Sequence, residues 1–128
     1  MLSACQNDDE PEQSATLSDD VKVGDTVPDF ILEGIHGDIK SSSLSGQIYM
    51  LTFFDTGCPD CRNELPILQQ IYDKYKETVP MFHVPRSQSI GEVDTYWEQE
   101  KLTLPTYTAP GLYYKFADSG IPRIYIVD

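Results

Sequence analysis

Ile48-Tyr49-Met50-Leu51-Thr52-Phe53-Phe54-Asp55-Thr56-Gly57-Cys58-Pro59-Asp60-Cys61 joins a buried strand to the start of a helix. Gln47 to Phe54 is a near-continuous apolar run, the pattern of a central strand covered on both faces. After the cysteines, Leu65, Leu68, Ile71, Tyr72 and Tyr75 recur at helical spacing, with Asn63, Gln69, Gln70, Asp73, Lys74 and Glu77 filling the opposite side. Pro59 suits the first helical position, where its missing N–H costs nothing. Pro66 lies inside the helix and should bend it, because it removes a backbone hydrogen bond and crowds residue 62.

This placement gives the cysteine pair a chemical meaning. Cys58 falls at a helix N-terminus, where unpaired N–H groups and the helix dipole favour a thiolate over the ordinary thiol, whose pKa is about 8.5. Cys61, one turn on and on the same side, can reach back to resolve a mixed disulfide on Cys58. Asp60 opposes the helix effect by placing a second negative charge nearby, which favours a reductant over a strong oxidant. Glu64, three residues beyond Cys61, is a candidate proton carrier for that thiol. The other use of such a pair is half of a zinc site, which needs two more ligands. His36, in a glycine-flanked turn, and His83, at a strand end, supply neither a second C-x-x-C nor an H-x-x-x-H. Both are read as surface or structural residues, and no metal or other cofactor is expected.

Working outward, Val21 to Phe30 contains short extended pieces around Gly24-Asp25. Phe30-Ile31-Leu32 and Ile35 flank a Gly34 to Gly37 turn that predicts a hairpin. Leu44-Ser45-Gly46 reads as a helical turn or loop. Val79 to Val84 is a second buried strand. Ser89-Ile90-Gly91-Glu92 is a capping box opening a helix whose apolar side is Val93, Tyr96 and Trp97. A short helix over Leu112 to Ala117 stops near Gly120, and Ile121-Pro122 leads into a last strand, Arg123 to Val127. Strands alternating with helices predict an α/β fold with a central sheet flanked by helices.

The chain has 128 residues, fitting one domain, and a net charge of −12. Such a surface repels phosphate backbones, which argues against nucleic-acid partners. Six of the acids and no base lie in the first twenty residues. Residues 1–20, acidic and poor in large apolar groups, are read as a flexible tether ahead of a domain over 21–128. Of the three cysteines, Cys5 is left over. Leu2-Ser3-Ala4-Cys5 resembles the lipobox of bacterial lipoproteins, which makes Cys5 a candidate lipid attachment site and the segment before it the remnant of a trimmed signal.

Three spaced motifs carry a wider resemblance. Val23-Gly24-Asp25-Thr26-Val27-Pro28-Asp29-Phe30, Cys58-Pro59-Asp60-Cys61-Arg62-Asn63-Glu64-Leu65-Pro66 and Ser119-Gly120-Ile121-Pro122-Arg123-Ile124-Tyr125-Ile126-Val127-Asp128 resemble, in order, segments of the TlpA/ResA group of thioredoxin-like thiol–disulfide oxidoreductases. The resemblance implies a cis peptide at Pro122 beside the cysteines and a substrate strand pairing with the backbone of Ile121, with Gly57 and Pro59 on the same substrate-facing surface. It also implies reduction of disulfides in cell-envelope proteins, an electron donor held at a membrane, and attachment of the protein to the envelope only through its lipid. A monomer is expected. Three departures stand out. Gly57 replaces the usual Trp before the first cysteine. Thr52 stands where thioredoxin has a buried Asp, which shifts the proton-carrier role towards Glu64. The family also continues beyond Asp128 through a turn, an edge strand and a helix, so the last strand is expected to leave an open sheet edge.

Two other functions fit the residues less well. A peroxiredoxin site needs Thr or Ser three residues before its cysteine and Pro four before that; Asp55 and Leu51 stand there instead. A non-catalytic envelope binding module on the same scaffold would need neither the cysteine pair nor the Ile121-Pro122 feature.

Overall fold

The computed structural model describes residues 2–4 and 20–128, the first three as backbone only. The strand predicted from the apolar run is β4 (Tyr49–Phe54), and all six of its residues are buried. It pairs in parallel with β5 (Met81–Pro85) and antiparallel with β6 (Arg123–Val127). A short strand β1 (Leu2–Ala4) lies antiparallel along β6, giving a four-stranded sheet in the order β1-β6-β4-β5. The predicted hairpin is β2 (Ile31–Gly34) and β3 (Gly37–Lys40), a separate two-stranded sheet followed by a 3-10 turn over Ser41–Leu44.

Alternate residues of β4 serve two cores, as the period of two requires. Tyr49, Leu51 and Phe53 face a core completed by Phe30 and Leu32 of the hairpin region, by Phe82 and Tyr125, and by Tyr113 and Phe116 of a short helix α3 (Tyr113–Phe116). Met50 and Phe54 face the other core, closed by α1 (Pro59–Tyr75) through Cys61, Leu65 and Leu68 and by α2 (Ile90–Glu100) through Val93 and Trp97. The Trp97 indole N–H donates to the Leu104 carbonyl at 2.9 Å, so the ring is buried without a stranded donor.

Local sequence signals act where expected. Pro59 opens α1, and Pro66 lies within it on the solvent side. Ser89 and Glu92 form the complete reciprocal capping box of α2. Lys101 ends that helix in the left-handed region at φ 58°.

Four expectations change. Residues around Gly24 form a turn without strands. Tyr75 is exposed rather than packed, and Lys74 Nζ lies 5.3 Å from its ring centre. The edge of β6 expected to be open is paired with Leu2–Ala4, a segment with no strand signal of its own. Asp20, assigned to the tether, accepts from Asp118 N at 2.9 Å and pairs with Arg123 at 3.0 Å, so the folded part includes it. Leu2–Ala4, also assigned to the tether, form β1, and residues 1 and 5–19, with Cys5, lie outside the described residues.

Candidate active site

The register brings three loops to one end of the sheet, because Phe54 pairs with Pro85 and Phe53 with Arg123. These are the loops Asp55–Cys58 after β4, Arg86–Ser89 after β5 and Ser119–Pro122 before β6. Cys58 is the N-cap of α1 in extended conformation, and its Sγ accepts the Cys61 backbone N–H at 3.3 Å. Sulfur thus takes the place that a Ser or Asp oxygen usually holds, and a thiolate is a better acceptor there than a thiol. Cys58 is partly exposed, whereas Cys61 is fully buried; both are free thiols. This asymmetry fits an attacking and a resolving sulfur. Burial is the largest cause pushing the Cys61 thiol up to about 12, with the neighbouring Cys58 and the Asp55 carboxylate raising it further and the Asp55 backbone lowering it.

The Ile121–Pro122 peptide is cis. The Ile121 carbonyl lies 3.7 Å from Cys58 Sγ, so the two motifs, 63 residues apart, meet at the nucleophile. Two side chains hold this loop. Tyr113 Oη donates to the Gly120 carbonyl at 2.8 Å, and Arg123 donates to the Ser119 carbonyl at 2.7 Å while pairing with Asp20.

Gly57 and Pro59 are exposed on either side of Cys58. Glu64 is half-buried one turn beyond Cys61, and its carboxylate makes no hydrogen bond or ion pair among the described residues. Cys5 lies outside them. His36 is exposed at the hairpin tip, and His83 is fully buried with Nδ1 2.9 Å from the Pro105 carbonyl. Among the described residues no group of three or more His, Cys, Asp or Glu is placed to hold a metal ion.

Sequence reasoning missed the side chains that fix the thiol loop. Gln88 Oε1 accepts the Thr56 N–H at 2.9 Å, and its Nε2 donates to Thr56 Oγ1. Arg62 Nε donates to the Thr56 carbonyl. Asp55 pairs with Arg86 at 3.3 Å and accepts from Ser87 N and Oγ, both at 3.4 Å. An acid three residues before Cys58 was the one available signal; residues 86–88 carry none, because only the sheet register brings them near.

A partly exposed sulfur capping a helix, a buried partner one turn on and a cis-proline loop against the first sulfur define a thioredoxin-like dithiol protein. The chain belongs to the AhpC/TSA family, whose model matches residues 23–109. It is similar to the thiol-disulfide oxidoreductase ResA of Oceanobacillus iheyensis, at 34% identity over 71% of this chain and 52% of the relative. The chain spans about half the length of the curated relatives it matches. Among solved structures, a Bacteroides thetaiotaomicron protein provisionally described as a protein disulfide isomerase matches with TM-score 0.77 and 28% identity, over 84% of this chain and 73% of the other. A thiol:disulfide interchange protein of Chlorobium tepidum TLS matches with TM-score 0.66 and 26% identity, over 80% and 77%.

Proposed function

We propose that the protein is a thiol–disulfide oxidoreductase that reduces disulfides of cell-envelope proteins. The observation that carries this reading is the position of Cys58 Sγ, which caps α1, accepts from Cys61 N and lies against the Ile121 carbonyl. The Cys58 thiolate attacks one sulfur of the substrate disulfide, forming a mixed disulfide and releasing a substrate thiolate. Cys61 then loses its proton and attacks Cys58 Sγ. The Cys58–Cys61 disulfide forms, the second substrate thiolate leaves, and both substrate sulfurs take up protons. Two electrons pass to the substrate, and an external dithiol donor held at a membrane restores the pair. Glu64 is the proposed proton carrier for Cys61, and the backbone of Ile121 with Gly57, Pro59 and Pro122 the surface that receives the substrate chain. Cys5 is proposed to carry a lipid anchor, which a fatty-acid mass on that residue in the native protein would establish.

Reduction of insulin by the protein, with dithiothreitol as donor, tests the chemistry. Wild type should accelerate precipitation of the B chain, and Cys58→Ser should fall to the background rate. Equal rates for the two proteins would overturn the assignment. In Cys61→Ala, Cys58 should accumulate in mixed disulfides whose partners mass spectrometry can identify.

A further inference from the structure

Thr56 is buried two residues before the nucleophile, and side chains from two other elements take up all its polar groups. Gln88 Oε1 accepts its N–H at 2.9 Å, Gln88 Nε2 donates to its hydroxyl, and Arg62 Nε donates to its carbonyl. Gln88 comes from the loop after β5 and Arg62 from the first turn of α1. The Asp55 carbonyl accepts the Cys58 N–H at 3.3 Å and so closes a turn over residues 55–58. Gly57, inside that turn, has no side chain to anchor it. One end of the turn is joined to α1, because Arg62 N donates to the Cys58 carbonyl at 3.0 Å. The clasp on Thr56 holds the other end.

The hold on the sulfur itself weakens during the reaction. Cys61 N donates to Cys58 Sγ at 3.3 Å. That bond is strong towards a thiolate and weak towards a sulfur already joined to a substrate, which carries no charge. In the mixed disulfide the position of Cys58 therefore depends on the turn, and the turn depends on Thr56. We infer that Gln88 is a positioning residue for the resolving step: by clasping Thr56 it keeps the substrate-bound Cys58 Sγ within reach of Cys61. This rests on the dithiol reading above. Attack on the substrate is bimolecular and uses a sulfur that is partly open to solvent. Resolution is intramolecular, and its rate follows the fraction of time the two sulfurs spend together. Loss of the clasp should slow the second step and spare the first.

Stopped-flow reaction of the reduced protein with excess dithiobis(nitrobenzoate) separates the two steps. The Cys58 thiolate attacks one sulfur of the probe and releases one nitrothiobenzoate, at a rate that rises with probe concentration. Cys61 then gives its proton to solvent and attacks Cys58 Sγ. The protein disulfide forms, and the second nitrothiobenzoate leaves at a rate independent of probe concentration. All proteins are compared at one pH, so that ionisation of the buried Cys61 is common to them. Gln88→Met keeps the length of the side chain without its hydrogen bonds. It should slow the second phase roughly tenfold and leave the first within about twofold of wild type. Thr56→Val, close to isosteric, should slow the second phase roughly threefold, and should add nothing in the Gln88→Met background. It carries the same test if Gln88→Met fails to fold. Equilibrium with reduced and oxidised glutathione should move towards the dithiol in both variants, because a freer turn lowers the effective concentration of one sulfur at the other. A merely structural contact would lower the unfolding temperature and leave both phases unchanged. That result, equal slowing of the two phases, or a shift towards the disulfide would overturn the proposal. Wild type that releases only one nitrothiobenzoate would instead overturn the dithiol reading.

Discussion

The two faces of the central sheet are built from alternate residues of the same strands, yet they differ in kind. The face towards the hairpin and α3 is an aromatic stack: Phe53 meets Tyr113, Phe116 and Tyr125 with ring centres 5.2–6.2 Å apart, mostly edge to face. The face under α1 and α2 instead holds Cys61 with the buried polar side chains Thr52 and His83, which share the parity of Met50 and Met81. One face is specialised for packing. The other gives up part of its packing to hold groups that can ionise or hydrogen-bond. Phe53→Ala should therefore cost about 3–5 kcal/mol in urea unfolding, the range for deleting a fully buried aromatic ring. It should leave the glutathione equilibrium of the surviving folded protein unchanged. A large change in that equilibrium would break the division of labour between the faces.

His83 sharpens the comparison from the other side. Its ring is fully buried, and burial pulls its pKa down to about 4 from the ordinary 6.5, with the Pro105 carbonyl opposing weakly. Among the described residues Nε2 has no hydrogen-bond partner, and neither has Thr52 Oγ1 on the residue paired with it in β4. The folded protein thus binds this proton more weakly than the unfolded chain does. Stability from the neutral ring is complete above about pH 6.5 and drains away as pH falls to about 4, by up to about 3 kcal/mol. Unfolding curves between pH 7 and pH 4 should show this slope. His83→Asn, whose amide N–H can still reach the Pro105 carbonyl, should flatten it. An unchanged slope in the variant would assign the acid sensitivity elsewhere.

What could be read from the chain follows how local each signal is. Residues 47–61 contain their own explanation: an apolar run too short and β-rich for a helix, then a proline and two cysteines at helix-start spacing. The capping box at Ser89 and the last strand, Arg123–Val127, are equally self-contained. The meeting of Ile121 with Cys58 was legible only through resemblance, because no local pattern states which loops share a sheet end. The clasp of Asp55 and Thr56 by Arg86, Ser87 and Gln88 left no trace beyond the acid at position 55. It depends on a parallel register in which Phe54 lies beside Pro85. Pairing of Leu2–Ala4 along β6 was hidden for a similar reason, since three residues carry too little periodicity to declare a strand.

The smallest expected effect lies at the site itself, where two glycines separate a packed position from an open one. A Cβ at Gly34, in the hairpin, would stand 2.6 Å from the Tyr107 ring. A Cβ at Gly57, beside the nucleophile, would find no heavy atom within 4 Å, and the backbone there is outside the left-handed region. Among the described residues nothing thus requires glycine before Cys58, and the space is open to whatever approaches the sulfur. Gly57→Ala should raise stability by about 0.4–1 kcal/mol through reduced freedom of the unfolded chain. Exchange with a small aromatic disulfide should stay within about twofold of wild type, a barrier change near 0.4 kcal/mol. A much slower reaction with that small probe would mean that the loop needs glycine's freedom to present Cys58, and the contrast between the two glycines would then be one of motion rather than of space.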